Sequence, residues 1–186
     1  MSELLLAKAR KGDKEAFGQV IYPYERLIYN IAYKYIGNTE DAKDIAQESM
    51  LKIYLNIKSC RSMQTFKAWS AKITVNTALD ALRKRANRAA EVLEDYPAPE
   101  TDRPEHVAVV NEDIKQLKEA INSLSEEHRT LIILRDLEGF SYGELAQTTG
   151  IAMGTVKSRL SRARLALREQ IYRSDRIKDE GGVKND

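Results

Sequence analysis

The sequence predicts an all-α fold: two small helical bundles joined by a flexible linker, the C-terminal one containing a helix-turn-helix. Three observations predict it. Apolar residues recur at steps of three and four along most of the chain, the period of a helix face. No run alternates apolar and polar residues between turn signals, so no strand is written. Finally, residues 91–104 hold three of the four prolines and no apolar periodicity, which separates two periodic regions.

Composition narrows the class. At 186 residues, 42% hydrophobic and 31% charged, the chain is an ordinary globular protein of one domain or two small ones. The apolar run near the N-terminus is too short, and Glu3 too early, for a signal peptide, and nothing else is apolar enough to span or insert into a membrane. A cytoplasmic location is expected. Cys60 alone cannot form an internal disulfide and reads as a bystander thiol. With only His106 and His128 beside it no zinc-ligand spacing exists, so neither metal nor cofactor is expected. The net charge of +2 is unevenly spread: residues 1–90 carry 16 Lys/Arg against 9 Asp/Glu, 91–127 carry 3 against 11, and 128–186 carry 11 against 8. Two basic bodies that suit a polyanion thus flank an acidic connector.

The elements follow in order. Ser2 with Glu3, and Asp13 with Glu15, open two helices on either side of Gly12. The second runs toward Tyr35 through Phe17, Ile21, Leu27, Ile28 and Ile31, with Pro23 placed to kink it or shift its start, and Gly37 closes it. Asn38 or Thr39 then caps a helix over 40–57. Its core face is Ala42, Ala46, Met50, Ile53 and Ile57, and its other face is Asp41, Asp44, Gln47, Glu48, Leu51 and Leu55. Leucines ringed by acids and an amide suit a protein partner with basic, partly apolar residues; equally, they suit burial under another helix of the same domain. Residues 58–65 form a polar loop, after which Thr65 caps a long helix over 66–88. Phe66, Trp69, Ile73, Val75, Ala78, Leu79 and Leu82 make that helix central to the first bundle. Asn76, Asp80, Arg83 and Lys84 fall along one stripe, followed by Arg85, and these residue types suit reading base edges and gripping phosphates. Trp69, alone in an apolar helix, reads as core.

Beyond the linker, Val107, Val110, Ile114, Leu117, Ile121 and Leu124 describe an amphipathic helix, and Ser125 with Glu126 and Glu127 starts another that ends near Gly139. Ser141 and Glu144 then form a capping box, Gly150 sits where a helix ends left-handed, and a short turn leads into a second helix. There, Val156, Leu160, Ala163 and Leu167 share the core-facing side. Ser158, Ser161 and Arg162 lie opposite, flanked by Lys157, Arg159, Arg164 and Arg168, five cations without an acid from 156 to 168. Small hydroxyls allow close approach to a groove floor, and the cations meet its phosphate walls. The plain alternative is a solvated basic face on a structural helix.

Three motifs in order resemble the extracytoplasmic-function (ECF) sigma factors of bacterial RNA polymerase. The segment 41–51, the stretch Phe66 to Trp69 with Asn76, Asp80 and 83–85, and the segment 154–164 resemble respectively the family's first-domain motif, its promoter-melting helix and its recognition helix. The likeness covers about residues 3–172. It implies a promoter-specificity subunit, without catalysis of its own, that directs transcription initiation in a stress or envelope response. Its implied division is a region 2-like domain at 1–90, an acidic linker at 91–104, a region 4-like domain at 105–174, and a disordered tail at 175–186. Asp41, Asp44, Gln47, Glu48, Leu51 and Leu55 would bind core RNA polymerase at the clamp helices of its largest subunit. Asn76, Asp80, Arg83, Lys84 and Arg85, with the loop from Ser59 to Gln64, would capture the unwound minus-ten element. Thr155, Lys157, Ser158, Arg159, Ser161, Arg162 and Arg164 would meet the minus-thirty-five element, with Arg159 and Arg164 on phosphates. Promoter DNA and an anti-sigma factor complete the implied partners. Two positions depart from the family: Ala152 stands where proline is frequent, and Ser161 where a larger residue occurs. The rival readings are a conventional helix-turn-helix repressor or activator, a protein-binding adaptor and an enzyme. The last has no nucleophile motif, phosphate loop or metal cluster to support it.

Overall fold

A computed structural model describes residues 3–95 and 112–181, with side chains over 3–88 and 114–173. Among these residues every regular element is helical: α1 (Glu3–Arg10), α2 (Lys14–Ile21), α3 (Glu25–Ile36), α4 (Thr39–Leu55), α5 (Met63–Asp95), α6 (Glu112–Asn122), α7 (Glu126–Ile132), α8 (Tyr142–Thr149) and α9 (Met153–Gly181).

Side-chain caps set the boundaries. Asp13, Asn38 and Ser125 each accept a hydrogen bond from the backbone N–H three residues on, as sequence predicts. Pro23 divides the expected long helix: α2 stops at Ile21, a 3-10 turn spans Tyr22–Tyr24, and α3 resumes at Glu25. Gly37, at φ 82°, ends α3 in the left-handed region. Helix α4 ends at Leu55, and Ile57 belongs to a separate 3-10 turn, Ile57–Ser59, from which it still reaches the core. Helix α5 starts at Met63 rather than at 66, so Thr65 lies in its first turn. The Met63 N–H is satisfied from 60 residues away by the Glu3 carboxylate at 2.8 Å, and the Thr65 hydroxyl donates to the Ser62 carbonyl at 3.0 Å. The loop before it is anchored by Cys60, wholly buried, whose carbonyl accepts from the Arg10 guanidinium. A single turn of π-helix, Ile133–Leu137, extends α7.

Two ends run further than expected. Helix α5 continues past the basic run to Asp95, and α9 continues to Gly181, so residues 175–181 are helical where disorder was expected. Val107 and Val110 lie outside the described residues, as does the linker from residue 96 onward. Ile114 and Leu117, read as part of a buried stripe, stand 50% and 38% exposed, whereas Ile121 and Leu124 are buried.

Helix α5 is the axis of the first half. Apart from Phe66 and Val75, its buried positions are small or hydroxylated, with Ala68, Ala71 and Ala78 beside Ser70, Thr74 and Thr77. The three hydroxyls bond to carbonyls one turn back at 2.9–3.1 Å, which satisfies them inside the helix and leaves its surface smooth. Helices α3, α4 and α8 all pack against it. One apolar cluster gathers α1, α2 and the start of α5 around Phe66, with Trp69 packed on its edge as expected of a core tryptophan. A second cluster joins Ile31, Tyr35, Ala71, Val75 and Ala78 of the first half to Leu131, Ile132, Phe140, Leu145 and Val156 of the second. The two bundles therefore share a core, which their separate apolar stripes did not foretell.

Candidate polymerase-docking and nucleic-acid interfaces

The outer face of α4 is the first candidate surface. Asn38 fixes its start by accepting from the Asp41 N–H at 2.8 Å while its amide donates to the Asp41 carboxylate at 2.6 Å. One α-helical period on, Asp44, Gln47 and Glu48 are exposed, and Glu48 pairs with Lys52 at 2.8 Å. Leu51 and Leu55 are 57% and 68% exposed, so the reading in which another helix covers them is not realised. The outer face of α4 thus carries an apolar pair rimmed by carboxylates, while Ala42, Ile45, Ala46, Ser49 and Ile53 are buried on its other side.

Along α5 the structure divides the expected stripe. Asn76 and Arg83 face the second half of the chain, and Asp80 is exposed between them, whereas Lys84 and Arg85 turn toward α4. The cause is the 100° advance per residue, which takes Lys84 about 80° round from Asn76. Lys84 and Arg85 line a cleft of about 420 Å³ whose opposite wall is Asp41 and Asp44, and Arg85 pairs with Asp41 at 3.1 Å. The predicted docking acids and two predicted DNA cations thus meet in one place. Arg83 holds the Glu126 carboxylate with two bonds, at 2.6 and 3.2 Å, and lies 3.4 Å from Asp80; the Glu126 contact raises its pKa above the ordinary guanidinium value. Asn76 lines a second cleft, about 300 Å³, with Lys72 beside it and Glu126, Glu127, Thr148 and Arg159 opposite. Lys72 was missed by the sequence reading, although its place one turn before Asn76 on the same exposed line was a usable signal. In the loop, Arg61 and Gln64 are exposed while the Ser62 hydroxyl is engaged with Thr65 at 3.3 Å.

The third surface is built by α8 and α9. Both halves of the capping box form: the Ser141 hydroxyl accepts from the Glu144 N–H at 3.2 Å, and Glu144 accepts from the Ser141 N–H at 2.7 Å. Burial works to raise the Glu144 pKa, but the Ser141 N–H and the Lys67 ammonium, 2.9 Å away, outweigh it and hold the carboxyl below its ordinary value. Gly150, at φ 75°, turns the chain out of α8. Val156, Leu160 and Ala163 are buried as expected, which points Lys157, Ser158, Ser161 and Arg162 outward. Thr155 is half-buried and its carbonyl accepts from the Ser158 hydroxyl at 2.9 Å. Two expected phosphate contacts are otherwise engaged. Arg159 pairs with Glu127 at 2.8 Å, and Arg164 grips Asp136 with two bonds at 2.5 and 3.0 Å, which raises the Arg164 pKa. The acids come from α7 and the π turn, elements that sequence periodicity does not place against the recognition helix.

Comparison with known proteins fits this geometry. Residues 21–88 match the family model for Sigma-70 region 2, and residues 114–167 match that for Sigma-70 region 4. ECF RNA polymerase sigma factor SigW of Bacillus subtilis is 32% identical over 176 residues, covering 89% of this chain and 94% of that protein. The chain belongs to the ECF sigma factors of the sigma-70 family. The sigma factor is also 32% identical to the ECF RNA polymerase sigma-E factor of Haemophilus influenzae, covering 91% of this chain and 94% of the relative. Among solved structures it resembles the sigma factor RpoE of Bartonella quintana, solved in complex with the anti-sigma factor NepR. That match has a TM-score of 0.64 at 29% identity and covers 84% of this sigma factor and 96% of RpoE. A sigma factor is a promoter-specificity subunit that works with core RNA polymerase and promoter DNA. Among the described residues no helix is long and apolar enough to cross a membrane.

Proposed function

We propose that this sigma factor divides its work along the chain: residues 1–90 dock on core RNA polymerase and capture the minus-ten element, the acidic stretch at 91–104 links, and residues 105–174 read the minus-thirty-five element. The observation that carries the reading is the outer face of α9. Lys157 and Arg162 are exposed there beside Ser158 and Ser161, and among the described residues no carboxylate pairs with either cation. A cationic face with short hydroxyls at its centre enters a major groove without steric conflict. On α4, Asp44, Gln47, Glu48, Leu51 and Leu55 supply the docking surface, with the clamp helices of the largest subunit as partner. On α5, Asn76, Asp80 and Arg83 meet unpaired bases and their phosphates, and Lys84 and Arg85 add cations at the side of α4. Trp69 packs on Phe66, so capture rests on the amide and the cations rather than on an aromatic platform.

The protein acts by binding, in the cytoplasm, with no catalytic step of its own. Each DNA contact is modest, and joining the two on polymerase converts the second into an intramolecular event. An anti-sigma factor holds it in reserve, as the Bartonella quintana relative solved with NepR suggests. Run-off transcription with core polymerase over a library of stress-type promoters tests the reading. Promoter-dependent transcripts are expected, Lys157→Ala with Arg162→Ala abolishing selection while sparing polymerase binding. The absence of any promoter-dependent transcript refutes it.

A further inference from the structure

Helix α1 supplies no residue to the three surfaces, yet two of its polar side chains hold the loop that leads into α5. The Glu3 carboxylate accepts from the Met63 N–H at 2.8 Å, and the Arg10 guanidinium donates to the Cys60 carbonyl. Glu3, Leu6 and Arg10 share one side of α1, and Leu6 is wholly buried there. From Glu3 to Arg10 the helix rises about 10.5 Å, which is roughly the span of three extended residues, the separation of Cys60 from Met63. Helix α1 thus carries one bond for each end of the turn at 60–63.

The turn is also fixed from within. The Ser62 carbonyl accepts from the Thr65 N–H at 3.2 Å, from the Thr65 hydroxyl at 3.0 Å and from the Cys60 thiol at 3.5 Å. Burial pushes the Cys60 thiol pKa up, so the thiol stays protonated and remains a donor. Cys60 packs into the apolar cluster with Leu6, Ala9, Ile57 and Phe66, whereas Arg61 and Gln64 are exposed.

Stability alone does not account for the two bonds from α1. The Arg10 Nε is buried with no hydrogen-bond partner among the described residues, a penalty that an apolar side chain in its place would avoid. The Glu3 bond is exposed, where water competes for both groups. What the bonds do achieve is to fix backbone at both ends of a loop that has no free aromatic platform, since Trp69 packs on Phe66. A loop that takes a base without stacking depends on holding one shape, because a loose loop adapts to several bases and is ordered by whichever binds.

Resting on the assignment of the loop from Ser59 to Gln64 to the minus-ten strand, we propose that Glu3 and Arg10 are positioning residues for base selection. Helix α1 braces the loop backbone in the shape that admits the preferred unpaired base, and neither residue touches DNA. Losing either bond lets the loop relax around other bases, so discrimination falls before binding does.

The test uses holoenzyme assembled from the full chain and core polymerase. Its templates are the promoter recovered in the run-off screen, randomised over the minus-ten element in one library and over the minus-thirty-five element in another, each carrying a transcribed barcode. Barcode counts give a base preference at every position. Glu3→Ala, and Arg10→Met, which keeps the aliphatic bulk without the donor, should each flatten the preference about five- to tenfold at one or two minus-ten positions. Preferences over the minus-thirty-five element and co-purification with core polymerase should match wild type. Glu3→Gln, which keeps an acceptor for the Met63 N–H, should restore the minus-ten preference.

Wild-type minus-ten preferences in both brace variants overturn the proposal, and so does a Glu3→Gln variant as defective as Glu3→Ala. An equal flattening at both elements also overturns it, since a general loss of structure would give that. The loop assignment is read separately, from Arg61→Gly with Ser62→Gly and Gln64→Ala. Wild-type preferences in that variant show that the loop is not the reader, whereas flattening there beside intact brace variants places the error in the role given to α1.

Discussion

Asp136→Asn should make duplex DNA binding more salt-sensitive, although Asp136 is itself no DNA ligand. Five cations occupy 156–168, but Arg159 is paired with Glu127 and Arg164 with Asp136, the latter by two bonds. That leaves Lys157, Arg162 and Arg168 to neutralise phosphates. At a slope of roughly −0.9 per phosphate in log K against log salt, the helix contributes about −2.7, not the roughly −4.5 that five free cations would give. Asp136→Asn releases the Arg164 guanidinium and should steepen the slope by about 0.9, whereas Lys157→Ala should flatten it by about 0.9. Deleting the pair, Asp136→Asn with Arg164→Ala, should leave the wild-type slope. Anisotropy titrations of the full chain on a labelled duplex between about 50 and 200 mM salt measure this. The phosphate term is independent of sequence, so no promoter need be known. An unchanged slope in Asp136→Asn, or a flattening by the pair deletion equal to that of Lys157→Ala, would show that Arg164 reaches phosphate despite its carboxylate.

The other predictions concern docking, the cap and the shared core. Asp44→Ala with Glu48→Ala should weaken co-purification with core polymerase while leaving duplex binding intact, and Leu51→Ala should cost about 1.5–3 kcal/mol if the side chain is buried in that complex; equal losses in both assays would mean the surfaces are not separate. Ser141→Ala should lower stability by about 1 kcal/mol in denaturant unfolding, since it removes the acceptor for the Glu144 N–H. The lowered Glu144 pKa fixes the sign of its pH dependence: its contribution is complete above the ordinary value of 4.5 and is lost as pH falls through the folded value. Replacing it by Gln should therefore remove part of the acid sensitivity of unfolding, and an identical pH profile would count against the assignment. Phe140→Ala, deleting a wholly buried ring in contact with both halves, should cost about 3–5 kcal/mol, read as a drop in the unfolding midpoint.

Local chemistry was legible because it is written within a few residues. Asp13, Asn38, Ser125 and Ser141 cap helices where the sequence places them, Pro23 breaks one, and Gly37 and Gly150 end two. The outward face of α9 followed from the period, whereas on α4 the period left open whether another helix covers Leu51 and Leu55, which the structure leaves exposed. What periodicity cannot give is the partner of a stripe. Lys34 meets Glu138 across 104 positions and Arg83 meets Glu126 across 43, and neither pairing leaves a local mark. The same gap explains why Arg159 and Arg164 looked available: a run of cations without acids is silent about acids folded onto it from α7 and the π turn. Helix ends were misjudged where composition misled. The basic run at 83–88 reads as the end of a helix with cations in its last turn, yet α5 continues to Asp95.

Two of the three surfaces meet on one helix, and this constrains how any change in α5 can be interpreted. Ala71, Val75 and Ala78 hold the core, Asn76 lies next to Val75 and Arg83 five positions beyond Ala78 on the line facing α7, and Arg85 reaches back to Asp41 on α4. A substitution at a buried position therefore shifts the strand-binding line and the α4 cleft together, since the small side chains of α5 leave its neighbours no slack. On the assignment proposed above, Arg83→Ala removes a strand-binding cation and the bond to Glu126 at once, so its effect on the free chain combines a loss with a release. Only the comparison of free chain with holoenzyme separates them. If holoenzyme assembly separates the halves, the loss should dominate there, whereas in the free chain the loss of the Glu126 bond accompanies it. A smaller defect for Arg83→Ala in free-strand binding than in transcription is thus the signature of one helix serving as core, latch and reader.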